Sequence, residues 1–328
     1  MFPKVSILIP CYNTDRWIQQ ALASAINQTY PNIEIIVVDD GSADRSSEII
    51  QAFSKSLSEA QRNRFHWESQ PNQGGNVTRN RLLELSTGEW IQYLDSDDYL
   101  QPTKIERQVQ FLNHCPQSDI IYSPSIFEYW SQDISRQEIL PIPEPHDPWI
   151  LLARWYLPQT GSPLWRKQAI ADVGSWKPDQ PCCQEHELYL RLLKAGKRFE
   201  YCPDAGSIYR QWSESTVCKR DKSETYRQRL AIEDAIEQHL QETHQLTPER
   251  RYAINQARFE CARMIWLSNR DWANEIIAKI QHSDRAFLPS GSAAPKTYRL
   301  TYQLFGFSIA EQMATLKRSL NSPTSTVH

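Results

Sequence analysis

The stretch from Gly88 to Pro102 constrains the fold most, because a short apolar run there leads directly into three carboxylates. The run is rich in aromatic and branched residues, which is typical of a buried strand. Side chains alternate along a strand, so we expect Asp95 and Asp97 on one side, about 7 Å apart, and Asp98 elsewhere. Two such carboxylates suit Mg²⁺ or Mn²⁺ with a diphosphate, although an isolated D-x-D is more often a polar turn.

The composition excludes several classes of protein. Lys and Arg number 36 against 39 Asp and Glu, a net charge of −3 without a basic block, so no nucleic-acid binding is expected. No run reaches the ~20 apolar residues of a membrane span, and no charged and then apolar leader precedes Val5, which favours a cytoplasmic protein. The seven cysteines form no C-x-x-C pair, so neither a disulfide framework nor a zinc site is predicted.

Strand and helix patterns alternate through the first hundred residues. The apolar runs Val5–Ile9 and Ile33–Val38 are typical of strands covered on both faces, and apolar residues recur at helical spacing between them. This order predicts parallel strands joined by a right-handed crossover. Both runs end in polar residues, as does the strand before Asp95. Ligands lie outside the carboxyl ends of such strands, so the three ends predict one nucleotide-sized crevice. The loop at Gly74 and Gly75 lacks a P-loop or dinucleotide pattern.

Four motifs occur in order: residues 5–13 (VSILIPCYN), 35–42 (IIVVDDGS), 72–74 with 78–80 (NQG and TRN), and 93–98 (YLDSDD). Through these motifs the chain resembles family 2 glycosyltransferases of the GT-A fold over roughly residues 4–212. The resemblance implies an inverting transfer of a sugar from a nucleotide-diphosphate sugar, with UDP as the default nucleotide, and use of Mn²⁺ or Mg²⁺. The implied acceptor is a hydroxyl of a glycan, a lipid-linked sugar or a polysaccharide.

Eight positions match the donor and metal site of that family. The resemblance implies that the base and ribose are held by Pro10, Tyr12, Asp39 and Asp40. The residues implied at the diphosphate and its metal are Arg79, Asp95, Ser96 and Asp97, with Asp95 and Asp97 as the metal ligands.

The helix predicted from Gln184 to Gly196 carries the candidate base. In the resembled family this helix begins with an Asp that is the general base, and Glu185 stands at the matching position. Glu accepts a proton as Asp does but reaches about one methylene further. Glu187 lies about 200° around the helix, so only one of the two can face the site, and the helix dipole favours either acid there. His186 is expected to be a packed side chain rather than a metal ligand.

The composition changes after Ser123, where a hairpin pattern and a Pro-rich crossover are predicted. We expect one or two of four tryptophans in this region to line an acceptor site and the others to lie in the core; they are Trp149, Trp155, Trp165 and Trp176. The expected parts are a nucleotide-sugar-binding half (1–125), an acceptor-binding half (126–222) and a helical region (223–328). Residues 211–216 resemble the closing loop of the family without its common His.

Three questions stay open from the sequence. The segment from Tyr298 to Phe307 could dock on the inner face of a membrane or on a partner, but packing on the helical region is preferred. Gln184 and Glu185 depart from the pattern of the resembled family at the general base. This departure leaves a non-catalytic nucleotide-sugar-binding scaffold as an alternative function. A sugar-phosphate nucleotidyltransferase is less favoured, because the Gly-rich basic loop expected after the first strand is absent.

Overall fold

The computed structural model describes residues 3–131, 134–212 and 221–321. The chain divides into two compact units, residues 1–220 and 221–328. The division of the first 222 residues into a donor half and an acceptor half at residue 125 stays a prediction. Residues 213–216 of the predicted closing loop lie outside the described residues.

The strands of the described residues all belong to the first unit. In chain order they are β1 (Val5–Cys11), β2 (Ile33–Asp39), β3 (Phe65–Ser69), β4 (Trp90–Tyr93), β5 (Tyr99–Leu100), β6 (Ile120–Tyr122), β7 (Ser125–Ser131), β8 (Ile134–Leu140), β9 (Leu164–Arg166), β10 (Phe199–Tyr201) and β11 (Ser207–Gln211).

The helices of the first unit alternate with these strands along the chain, and the described residues of the second unit form four more helices. In chain order they are α1 (Ile18–Ile26), α2 (Ser46–Ser56), α3 (Glu59–Arg62), α4 (Gly75–Leu85), α5 (Lys104–Leu112), α6 (Pro148–Ala153), α7 (Lys167–Asp172), α8 (Gln184–Lys194), α9 (Lys222–Glu242), α10 (Pro248–Ile265), α11 (Arg270–Ser283) and α12 (Lys296–Asn321).

The strands form two sheets. The main sheet has the order β10-β6-β9-β4-β1-β2-β3, and the smaller sheet has the order β5-β11-β7-β8. In the main sheet β9 runs antiparallel to β4 and β6, whereas the other neighbours run parallel. Val5 lies opposite both Ile33 and Trp90, so β1 stands between β2 and β4. The predicted α/β fold, a mostly parallel sheet followed by a helical region, is therefore confirmed.

A buried carboxylate fixes the alignment of β1, β2 and β4. Every residue of β2 is buried, including Glu34. Its carboxylate accepts hydrogen bonds from Lys4 Nζ at 2.7 Å, Ser6 Oγ at 2.5 Å and the backbone N–H of Thr87 at 2.6 Å. A Cβ at Gly88 would lie 2.5 Å from Ser6 Oγ, so glycine is required where the chain enters β4. These contacts set where β4 begins, and hence where the carboxylates after it lie.

The second unit is a helical assembly with its own core. The ring of Phe259 on α10 lies 6.0 Å from that of Tyr298, 5.8 Å from that of Tyr302 and 6.1 Å from that of Phe307, all on α12. The backbone of α12 leaves the helical conformation at Gly306, with φ 78°. Tyr298, Tyr302 and Phe307 therefore pack within the helical region, as expected for the segment from Tyr298 to Phe307. Within the described residues, no helix combines the length and the apolar character needed to cross a bilayer.

Candidate active site

The polar ends of β1, β2 and β4 lie together at one edge of the main sheet. Cys11 lies opposite Asp39, and the backbone N–H of Asn13 donates to Ser42 Oγ at 3.0 Å. The hydroxyl of Thr14 donates to that of Ser96 at 2.9 Å. Ser96 is buried by this contact. The three strand ends predicted to converge thus lie together, at the place where the sequence predicts the crevice.

The three acids after β4 lie in a turn, not in a strand. β4 ends at Tyr93, and the N–H of Asp98 donates to the carbonyl of Asp95 at 3.0 Å. The alternation expected for Asp95 and Asp97 was therefore wrong, because a reverse turn replaces the extended backbone on which it depends. Each acid instead has its own partner: Arg79 Nη2 at 2.9 Å for Asp95, the indole Nε1 of Trp212 at 2.9 Å for Asp97, and the backbone N–H of Arg210 at 2.7 Å for Asp98.

Burial and mutual repulsion act on these acids. Burial, and then the neighbouring charge of Asp95, raises the pKa of Asp97. Burial and the charge of Asp97 raise the pKa of Asp98 well above its usual value. Asp98 is fully buried and bonded to the backbone of β11, so it joins the two sheets. Asp95 and Asp97 remain partly exposed to the crevice.

Arg79 connects the turn to the helix that carries the candidate base. Its side chain, 12% exposed, donates from Nη2 to Asp95 Oδ1 at 2.9 Å and from Nη1 to Gln184 Oε1 at 3.0 Å. The guanidinium carbon lies 5.0 Å from the ring centre of Trp176, a cation–π contact that holds the plane of the group. The resemblance implies that Arg79 lies near the diphosphate. In the structure Arg79 pairs with Asp95, one of the two implied metal ligands, and both of its terminal nitrogens are bonded.

Glu185 lies in the first turn of α8, near the ion pair of Arg79 and Asp95. Its side chain is 25% exposed. Burial raises the pKa of its carboxyl; the positive charge of Arg79 opposes this shift and the negative charge of Asp95 adds to it. A raised pKa brings a carboxylate closer to the value at which it accepts a proton efficiently near neutral pH.

The residues on either side of Glu185 have structural partners. Glu187 is buried and pairs with Lys177 Nζ at 2.6 Å and Arg191 Nη2 at 2.8 Å. It therefore anchors the helix through two ion pairs, a larger role than the dipole effect expected for it. His186 stacks on Trp155 with ring centres 3.8 Å apart, as its predicted packed role requires.

The two acids at the end of β2 differ in their surroundings. Asp40 accepts from Gln70 Nε2 at 2.7 Å and from the backbone N–H groups of Gln73 at 2.9 Å and Gly74 at 2.8 Å, so it shapes the loop before α4. Asp39 accepts from Ser69 Oγ at 3.2 Å, and its other oxygen is buried without a donor in the described part of the chain. Such an oxygen is suited to accept from a bound ligand.

The remaining nucleotide positions lie at the start of the crevice. Pro10 is part of β1 beside Val38, and Tyr12 follows the strand with its side chain 50% exposed. An exposed aromatic ring at a strand end can stack on a planar base. Two groups at these positions thus have capacity to bind a ligand: Tyr12 through its exposed ring, and Asp39 through an oxygen that has no donor among the described residues.

Three of the four tryptophans named as possible acceptor-site residues lie in the core, and the lining role of the half-buried Trp155 stays a prediction. Trp149, Trp165 and Trp176 are core residues. The side chains that lie beside Asp97 are Trp212, Arg210 and Trp17: Arg210 Cζ stands 4.0 Å from the ring centre of Trp17, which lies 5.9 Å from that of Trp212. The only sequence signal for Arg210 and Trp212 was their position at the end of the last strand, at the start of the predicted closing loop.

The carboxylates fit a partial metal site. Among the described residues no three His, Cys, Asp or Glu side chains are grouped as a complete set of metal ligands. Asp95 and Asp97 lie close enough to repel one another, and a divalent cation would relieve that repulsion. Mg²⁺ and Mn²⁺ commonly take one or two carboxylates and complete their coordination with phosphate oxygens and water. The residues present therefore suit a cation that arrives with a diphosphate.

Comparisons with known proteins agree with this geometry. A putative glycosyltransferase, EpsH of Bacillus subtilis (strain 168), is 43% identical over 108 residues, 33% of this chain and 30% of EpsH. S. aureus TarS 1–349 in complex with UDP-GlcNAc has a TM-score of 0.60 at 15% identity, covering 96% of this chain and 92% of that one. The mannosyltransferase PcManGT of Pyrobaculum calidifontis, in complex with GDP-Man and Mn²⁺, has a TM-score of 0.50 at 15% identity, covering 96% and 88%.

These likenesses establish the fold and, over part of the chain, a match to one family. The match spans under half the length of the first curated relatives, and the structural neighbours share the GT-A fold at low identity. Residues 6–161 match the family model described as glycosyl transferase family 2. The resemblance found in the four motifs is therefore confirmed over that part of the chain.

Proposed function

We propose that the first unit is a metal-dependent, inverting glycosyltransferase that moves a sugar from a nucleotide-diphosphate sugar to a hydroxyl acceptor. The observation that carries the proposal is the position of Glu185, a mostly buried carboxyl of raised pKa beside the Arg79–Asp95 pair. A proton acceptor and a diphosphate-metal site must flank one reacting carbon in such a transfer. UDP is the first candidate nucleotide and GDP the second, because TarS and PcManGT carry those nucleotides.

The donor is held by the ends of β1 and β2 in this proposal. The ring of Tyr12 packs on the base beside Pro10, and the open oxygen of Asp39 accepts from the base or ribose. Asp40 acts indirectly by shaping the loop before α4. Ser96 acts indirectly too, because its hydroxyl is bonded to Thr14 and holds the turn against β1.

The reaction needs one proton transfer and one substitution. Glu185 takes the proton of the acceptor hydroxyl while that oxygen attacks the anomeric carbon. The bond from that carbon to the diphosphate breaks on the opposite face, so the configuration inverts without a covalent enzyme intermediate. Arg79 keeps Asp95 and the start of α8 at a fixed separation during this step. Mn²⁺ or Mg²⁺, when held by Asp95 and Asp97, supplies neutralisation of the charge on the leaving diphosphate.

The alternative function is a nucleotide-sugar-binding scaffold without transfer. It is favoured by Gln184, which bonds to Arg79 and supplies no second acid beside Glu185. The first experiment is a panel of UDP- and GDP-linked sugars, each with Mn²⁺ or with a chelator, scored by thermal stabilisation and by nucleotide release. A ligand at about 100 times its dissociation constant adds about 2.7 kcal/mol to the folded state. Stabilisation with nucleotide release supports the transferase, and stabilisation alone supports the scaffold. Absence of both contradicts the proposal.

We also propose that the second unit contacts an anionic membrane surface, which places the protein at the inner face of the membrane and suits a lipid-linked or polymeric acceptor. The outer face of α12 carries large apolar side chains that are 42–65% exposed: Leu300, Leu304, Phe305, Ile309, Met313 and Leu316. The charges of the helix are four cations and one anion: Lys296, Arg299, Lys317, Arg318 and Glu311. Glu311 is buried and paired with Arg263 and Arg318, so the exposed charge is positive. Exposed apolar residues between basic ends are typical of helices that lie in a bilayer interface.

Vesicle sedimentation tests this contact. The full chain is expected to bind vesicles that contain anionic lipid and not zwitterionic vesicles, and Leu304→Ser with Phe305→Ser should abolish the binding. Ile139→Ser is the matched control, because Ile139 is exposed to a similar degree on β8 in the first unit. Equal sedimentation of the α12 variant and wild type would contradict the contact. A concentration-dependent dimer that this variant disrupts, without vesicle binding, would assign the face to a second copy instead.

A further inference from the structure

Trp212 makes an uncommon contact with the proposed metal ligand Asp97. It directly follows β11, its side chain is 40% exposed, and its indole Nε1 donates to Asp97 Oδ2 at 2.9 Å. The ring is also supported from one side, since its centre lies 5.9 Å from that of Trp17. An exposed tryptophan thus holds one oxygen of a carboxylate at the edge of the crevice.

The charge of Asp97 is not matched by this contact. The indole N–H is a neutral donor and cannot coordinate a metal. The nearest cation along the strand, Arg210, pairs with Glu128 at 3.1 Å and has a side chain that is fully buried. Its own link to Asp97 goes to the backbone carbonyl, not to the carboxylate. Asp97 Oδ2 is therefore held by a neutral donor that a cation could displace.

We propose that Trp212 is a positioning residue that holds Asp97 while the site is free of metal and releases it when the metal binds. The inference rests on the proposed function, because it takes Asp97 as a metal ligand. A bulky indole against Oδ2 occupies space that water and phosphate oxygens need around an octahedral cation. The hydrogen bond to a charged group is lost on release, so the indole N–H lowers the affinity for the metal by roughly ten- to a hundredfold.

The test is Mn²⁺ binding in the absence of any donor, measured by the electron paramagnetic resonance signal of free Mn²⁺. Trp212→Phe keeps an aromatic ring next to Trp17 but removes the N–H, and we expect it to bind Mn²⁺ roughly ten- to a hundredfold more tightly than wild type. Trp130→Phe is the matched control. Its indole donates to Glu128 at 2.6 Å, a carboxylate outside the proposed metal site, so Mn²⁺ affinity should not change.

The outcomes separate this inference from the proposed function. Weaker Mn²⁺ binding by Trp212→Phe would mean that the indole orients Asp97 for the metal, and unchanged binding would mean that the two are not coupled; either result overturns the inference. Asp97→Ala gives the second comparison. If Asp97→Ala abolishes Mn²⁺ binding while Trp212→Phe leaves it unchanged, the metal site stands and only the role of Trp212 fails. If Asp97→Ala binds Mn²⁺ as wild type does, both fail. If wild type and Trp212→Phe both fail to bind Mn²⁺ without a donor, the inference is overturned, whereas the proposed function, in which the cation arrives with the diphosphate, is decided by the nucleotide-sugar panel.

Discussion

Arg79 donates to Asp95 across 2.9 Å, and this ion pair connects α4 to the turn that follows β4. The second terminal nitrogen of the same guanidinium donates to Gln184, the first residue of α8. One cation therefore sets the separation between the proposed metal ligand and the helix of the proposed base. A guanidinium can hold both partners because it is planar and donates from two terminal nitrogens, whereas an ammonium group is a single point charge.

Arg79→Lys should lower the free energy of unfolding by about 1–3 kcal/mol, because Gln184 or Asp95 is left without its donor in a mostly buried position. Urea denaturation measures the change. Arg81→Lys is the control on the same helix: Arg81 pairs with Glu68 at 2.6 Å, but both side chains are more than a third exposed, so we expect a much smaller loss than for Arg79→Lys. Equal losses in the two variants would contradict the connecting role of Arg79.

Asp39 and Asp40 should respond differently to substitution. Asp39→Ala removes an oxygen that is open to a ligand, so it should weaken nucleotide binding about tenfold or more and leave the melting temperature nearly unchanged. Asp40→Ala leaves three donors of the loop before α4 unsatisfied and should cost at least about 2 kcal/mol of stability. Calorimetric titration with UDP and GDP, together with thermal melts, separates the two effects. A destabilised Asp39→Ala with normal nucleotide affinity would show that Asp39 is structural.

Glu34 should make stability depend on acid pH. Burial alone would raise the pKa of Glu34, but bonds from Lys4, Ser6 and Thr87 outweigh it and lower the pKa from 4.5 to about 2. A lowered pKa in the folded state stabilises the fold above pH 4.5, and this contribution of roughly 3 kcal/mol is lost as pH falls from about 4.5 to about 2. Urea unfolding of wild type and Glu34→Gln should therefore differ most at about pH 7 and less at about pH 3. A difference in the free energy of unfolding that is the same at both pH values would show that the pKa of Glu34 is not lowered in the folded state.

Much of the fold could be predicted because β1, β2, β4 and α8 carry their own local patterns. Apolar runs, polar strand ends and helical spacing are properties of a few adjacent residues. Strand pairing is not local, so the insertion of the antiparallel β9 between β4 and β6 and the separate smaller sheet were not predicted.

The candidate site, like the fold, could be predicted only where adjacent residues form a recognisable pattern. The motifs supplied the acids at the strand ends and the start of α8, but not their partners. Arg210 and Trp212 reach Asp98 and Asp97 from more than a hundred residues away, which only tertiary structure brings about. The turn from Asp95 to Asp98 was predicted as a continuation of the strand. The acids follow β4, and their sequence contains no residue that marks a change of chain direction.

Glu187→Gln provides the control for the base. Its carboxylate pairs with Lys177 and Arg191 and does not face the crevice, so the variant should lose about 1–3 kcal/mol of stability and keep near wild-type turnover at a temperature where it is folded. Thermal melts establish that temperature before rates are compared. Loss of turnover by this variant while folded would move the assignment of the base to Glu187.

The most direct test of the proposed transferase is Glu185→Gln, studied with the donor that the nucleotide-sugar panel identifies. Donor affinity and sugar transfer are measured on the same preparation, by calorimetry and by product formation. The proposed mechanism predicts unchanged donor affinity and a loss of turnover on the order of 10²–10⁴, because only proton removal from the acceptor is affected. Turnover within a fewfold of wild type at unchanged donor affinity would contradict the role of Glu185 and, with it, the proposed mechanism.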